Sequence, residues 1–202
     1  MLPAEEIQRS LTGAWRLLLG KADGLRLLDL SVDGFWNSFF SILVALPAMA
    51  LGWVSVADQL AGDIGTISRF GVVVRLAVVD LGTWLLPLAG FALAAKPAGL
   101  GDRFVAYVVA SNWGTVVLVW LMLPVAILKL LAPSANDAVM LLSLLLYTAS
   151  LVLGWRLTNA AVGRGAAAGT AVFAAMFVAS LVVLVALQGM LGLSVPYSTP
   201  TR

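Results

Sequence analysis

The stretch FGVVVRLAVVDLGTWLLPLAGFALAA, residues 70–95, decides the fold. It is long and apolar enough to cross a bilayer as one helix, since a span needs about 20 residues at a rise of 1.5 Å each. It nevertheless carries Arg75 and Asp80. Asp80 falls about ten residues in, so about 15 Å deep and near the midplane. A charged carboxylate there costs at least about 2.5–3.5 kcal/mol, so it should face a helix bundle and not lipid.

The flanking sequence supplies the rest of such a bundle. Further apolar runs occupy residues 35–57, 104–131, 138–158 and 166–193. The 202 residues are 61% hydrophobic and only 11% charged, with a mean hydropathy of +1.02. Soluble domains are about half apolar and about a quarter charged. The expected fold is all-α: a polytopic membrane bundle of five transmembrane helices, spanning residues 35–193, preceded by an N-terminal amphipathic helix. Short connections predict that consecutive spans are antiparallel neighbours.

Residues 1–34 are too polar for the bilayer core. Ile7, Leu11, Ala14, Trp15 and Leu18 recur at helical spacing, with Glu5, Glu6, Gln8, Arg9, Thr12 and Arg16 mostly between them. This stripe suits a helix lying in the membrane interface, and equally one packed on the bundle's own inner face. The interfacial placement is the expectation carried forward. Because Glu5, Glu6 and Arg9 come early with no apolar run directly after them, the segment does not read as a cleavable leader. Gly24, Asp29, Ser31, Asp33 and Gly34 then break the pattern and can cap the first span. Trp36 and Trp53, about 26 Å apart along a helix, suit the two interfacial belts.

The distribution of Lys and Arg orients the chain. With the N-terminus in the cytoplasm, inner segments hold eight of these residues and outer ends three, with Arg75 left within a span. The positive-inside rule therefore places the N-terminus inside and an outer tail, residues 194–202, beyond the fifth span. The localisation expected is an integral membrane protein of a bacterial inner (plasma) membrane. Its partners would be the lipid bilayer, with a second copy or another membrane protein possible; the net charge of +2 gives no reason to invoke nucleic acid.

Few residues are left to carry chemistry. The chain has no Cys and no His, which removes disulfides, thiolate chemistry and imidazole bases, and the usual ligands of zinc and haem. No cofactor and no catalytic or metal-binding residue is expected. Arg75 lies five residues from Asp80, about 140° round the helix, so a direct pair is poor and Arg75 should reach for the outer interface. Asp80 should then find its partners on the third span, and the candidate polar site is Asp80, Thr83, Tyr107, Ser111 and Asn112. Pro47, Pro87 and Pro124 interrupt three spans and free the carbonyls of Leu43, Thr83 and Trp120. Freed carbonyls in a bilayer need donors or a wet cavity. Small residues form a second set: Ser150 and Gly154 on the fourth span, with Gly165 and Gly169 opening the fifth, are the expected helix-packing positions. Gly99-Leu-Gly-Asp102 matches the GxGD of intramembrane aspartyl proteases, but a dyad needs adjacent carboxyls, and Asp102 should lie about 20 Å from Asp80.

An amphipathic N-terminus, five spans with short loops and an outer C-terminus together resemble the Yip1-like membrane proteins. Asp80-Leu-Gly82 and Asn112-Trp-Gly114 echo parts of that family's short motifs. The stretch Asp29-Leu-Ser-Val-Asp-Gly-Phe-Trp-Asn-Ser-Phe39, leading to Leu46-Pro47, is similar to small bacterial membrane proteins. The resemblance implies a membrane-organising or partner-binding protein, or a permease. The leading expectation is non-enzymatic membrane organisation or partner binding. The alternative is a small transporter or permease component that uses Asp80 in an intramembrane polar pocket.

Overall fold

The computed structural model describes residues 2–60, 68–131 and 136–193. The outer tail expected at 194–202 lies outside them, as do the centres of two connecting loops. Helix α1 (Ala4–Leu18) is followed by a 3-10 segment (Ala22–Leu27) and a short helix α2 (Val32–Asn37). A 3-10 turn at Ser38–Phe40 joins α2 to α3 (Ser41–Leu60), so that Val32–Asp58 forms one apolar run. Then come α4 (Arg69–Ala95), α5 (Phe104–Leu131), α6 (Asn136–Val162) and α7 (Ala166–Met190). All the regular structure among the described residues is helical, and five of these runs are long and apolar enough to cross a membrane. The chain is an all-α polytopic membrane bundle preceded by a helix.

Local chemistry sets the helix ends. Ser31 is the N-cap of α2, its hydroxyl accepting from the Gly34 N–H at 3.0 Å. Asp29 accepts in turn from the Ser31 N–H at 2.9 Å, and that bond holds its carboxyl below the usual carboxylate range. Ser68 caps α4 in the same way, accepting from Gly71. Helix α6 runs four residues beyond the predicted Thr158, because the Asn159 carboxamide donates back to the Trp155 carbonyl at 2.9 Å. The chain leaves α6 at Gly163, in the left-handed region at φ +60°.

Helix α1 packs on the bundle along part of its stripe, while Trp15 remains 46% exposed. Ser10, Gly13, Ala14, Leu17 and Leu18 are buried, and the helix packs against the 3-10 segment, α5 and α6. Gly13 and Gly24 let α1 and the 3-10 segment touch backbone to backbone, and Arg16 pairs with Asp23 across the same contact. Leu11, Thr12 and Trp15 share a small hollow with Val44, Val116, Val117 and Trp120. Val116 lies about 18 Å along α5 from Phe104, so α1 leans on the flank of the bundle.

The order of the spans corrects an expectation. Helix α4 has little contact with α5, although only eight residues join them. Instead α3 lies between the two, and α4 closes on α7. The helices form a ring in the order α4, α3, α5, α6, α7 and back to α4. Leucines fill the close crossings: a Cβ on Gly114 of α5 would overlap Leu157 of α6, and one on Gly82 of α4 would overlap Leu187 of α7. Outside the ring, α6 and α7 turn Leu144, Leu145, Val182 and Val185 outward, each 62–68% exposed, as a lipid-facing surface requires.

Candidate functional site

The ring borders a partly open cavity of about 690 Å³ to which all five spans contribute. On α4, Asp80, Thr83, Trp84 and Pro87 line it. These positions are spaced three, four and seven apart, one face of a helix. Across the cavity, Tyr107, Ser111 and Thr115 recur at four-residue spacing on α5. Ser150, Gly154 and Thr158 do the same on α6, and Ser180 lies on α7. The rest of the wall is mostly aliphatic, aromatic or methionine.

Among the described residues, Asp80 is the only charged one on that wall. Its Oδ2 accepts from the Trp53 indole N–H of α3 at 2.7 Å. The remainder of the side chain keeps open surface toward the cavity. Its partner is therefore on the first span, and the expectation of a partner on the third is overturned. The interfacial placement of Trp53 falls with it: the indole is 8% exposed and held inside the ring, whereas Trp36 is 67% exposed. The seventeen-residue spacing of the two tryptophans pointed to the belts, but a deep carboxylate makes a stronger demand for a nearby donor.

Arg75 reaches the end of the bundle at which α7 stops. It donates to the Leu191 carbonyl at 2.6 Å, where α7 ends. A guanidinium there satisfies a free carbonyl and meets the negative end of the helix dipole. This contact ties α4 to α7 and leaves Asp80 without Arg75 as a counter-charge.

The sequence-based polar set divides. Asp80, Thr83, Tyr107 and Ser111 share the cavity. Tyr107 shares the wall with Ser111 and Thr158, and its ring packs edge-on against Phe91 at 4.9 Å. The Thr83 hydroxyl has no hydrogen-bond partner among the described residues. Asn112 does not join them, because it follows Ser111 by 100° of helix rotation and points elsewhere. It is fully buried, accepting from Trp84 Nε1 at 3.1 Å and donating to Ser38 Oγ at 2.9 Å. Ser38 donates on to the Phe35 carbonyl. Asn112 is a polar tie between α4, α5 and the start of the first span.

The expected packing residues divide too. Gly169 is a true contact, since a Cβ there would fall 2.7 Å from Asn159 Cα and overlap its carboxamide. Trp155 reinforces this α6–α7 hairpin by donating to Thr170 at 2.9 Å. A Cβ on Gly165 would meet nothing within 4 Å, and this glycine serves the turn at φ +89°. Ser150 and Gly154 line the cavity, where Gly154 faces Phe173. Trp120 donates to the Val44 carbonyl beside the Pro47 kink, one residue from the carbonyl that the proline frees. Asp102 is held by Arg164 at 2.8 Å and Arg103 at 3.3 Å, so it belongs to a surface ion cluster and forms no dyad with Asp80.

Two cavity residues of the first importance, Trp53 and Trp84, were missed by sequence reasoning. Trp84 carried a usable signal in its four-residue spacing from Asp80. No family model, curated protein or solved structure matches the chain. The likeness to Yip1-like proteins therefore rests on the residues quoted for it.

Proposed function

We propose that this chain is a small, non-enzymatic membrane transport protein, a permease or permease component, whose solute sits in the central cavity against Asp80. One observation carries the proposal: the only charge on the cavity wall is a carboxylate braced by a neutral indole and open to the cavity. A carboxylate kept merely to fix helix packing would be closed off by donors on several sides. Clefts of about 300–1,000 Å³ with a few convergent polar groups are the usual form of small-molecule sites. Orientation stays with the basic residues, which support a cytoplasmic N-terminus in a bacterial plasma membrane.

The chain lacks cysteine, so single-cysteine variants have no background. Ser180→Cys, in sealed vesicles, should react with a membrane-impermeant methanethiosulfonate reagent supplied on either face. Protection from both faces would contradict a solute path and leave the cavity a packing void.

A further inference from the structure

Resting on that reading of the cavity, we infer that its ligand is a monovalent organic cation: an ammonium group carried on an apolar or aromatic body. Three features of the wall select this class.

The first is charge. Asp80 stands alone there, with no Lys or Arg lining the cavity and Arg75 committed to Leu191. An anion would meet a carboxylate without a cation to offset it. A neutral apolar ligand would leave that carboxylate desolvated and unpaired, the most costly arrangement available. A single positive charge on the ligand removes the cost.

The second is the oxygen count. Bare metal cations take about six to eight oxygens at 2.0–2.6 Å, commonly from several carboxylates. The wall offers one carboxylate, and no group of three or more acidic residues is gathered anywhere among the described residues. The cavity is also many times the volume of such an ion.

The third is the apolar surface. Trp53, Trp84, Tyr107, Tyr147, Phe173 and Phe177 all line the cavity. Aromatic rings attract cations through their quadrupole, most strongly where water is excluded, and they also accept an apolar body. The two indoles are fixed by their own N–H bonds, Trp53 to Asp80 and Trp84 to Asn112. The aromatic wall is therefore set in place before a ligand arrives, which lowers the ordering cost of binding.

The test uses the full chain in dodecyl maltoside, free of ammonium headgroups, with benzyltrimethylammonium and its neutral carbon isostere neopentylbenzene as probes. In the Ser180→Cys protein, the cation should slow thiol modification at concentrations about tenfold or more below those the isostere needs. Equilibrium dialysis of radiolabelled benzyltrimethylammonium should show binding about tenfold or more weaker in Asp80→Asn, and retained in Asp80→Glu. Equal protection by the two probes, or Asp80→Asn binding the cation as the unaltered chain does, would overturn the inference while leaving a solute cavity in place. Ser180→Cys unreactive from both faces of sealed vesicles, with no binding of either probe, would overturn the cavity reading as well. Should Asp80→Asn fail to fold, the comparison of probes in the Ser180→Cys protein decides alone.

Discussion

The Trp53 indole braces Asp80 at 2.7 Å without neutralising it. Replacing the indole by a benzene ring removes the donor while keeping an aromatic side chain. Trp53→Phe should destabilise the protein by about 1.5–3 kcal/mol, the range for a hydrogen bond to a charged group, and Trp53→Ala by more because it also leaves a cavity. Thermal unfolding of the purified protein reads both. At this scale Asp80 was legible in the sequence because a charge in an apolar run has few explanations. Its partner was not, since any indole, hydroxyl or amide on a neighbouring span satisfies the same demand. Ser111 and Asn112 show the same limit. Both are polar and adjacent, yet 100° of rotation sends one to the cavity and the other to Ser38 and Trp84.

Helix α1 and the α6–α7 hairpin show what is decided between elements. The apolar stripe of α1 was plain from spacing alone, but the stripe does not name its cover. Gly13 and Gly24 do, because a glycine opposite a glycine permits a backbone contact that lipid would not require. The bond from Arg16 to Asp23 closes this contact, and it holds the Asp23 carboxyl below the usual carboxylate range. A carboxyl depressed in the folded state contributes stability above its unfolded value, and that contribution is lost as pH falls through the folded value. Amide exchange at residues 22–27 should therefore accelerate on acidification below about pH 4 while exchange in the spans stays slow. In the hairpin, Gly169→Val would drive two methyl groups into Asn159, so a loss of about 1–3 kcal/mol or more is expected. At Gly165 an added Cβ meets no neighbour, so the cost of Gly165→Val, about 1–3 kcal/mol, comes from backbone strain at φ +89° and ψ 161°. A scan of both variants by thermal unfolding separates packing from turn geometry.

Across the whole molecule, the five spans were legible because about 20 apolar residues in a row admit little else. Their arrangement was not. Short loops suggested sequential neighbours, yet α3 separates α4 from α5, and α7 returns to α4. That order depends on which small residues receive which leucines, Gly114 under Leu157 and Gly82 under Leu187, and such pairings carry no marker in the chain. The ring matters for function because it turns polar positions of α4, α5, α6 and α7, with Trp53 of α3, toward one space. Asp80, which the sequence set in one helix, becomes the single charge of a shared cavity. The direct measurement is uptake of radiolabelled benzyltrimethylammonium into proteoliposomes held interior-negative by a potassium diffusion potential. The unaltered chain should accumulate the cation well above protein-free liposomes, with Asp80→Asn falling to their level. Uptake by the unaltered chain no greater than by protein-free liposomes, or equal uptake by Asp80→Asn, would contradict a transport path built on Asp80.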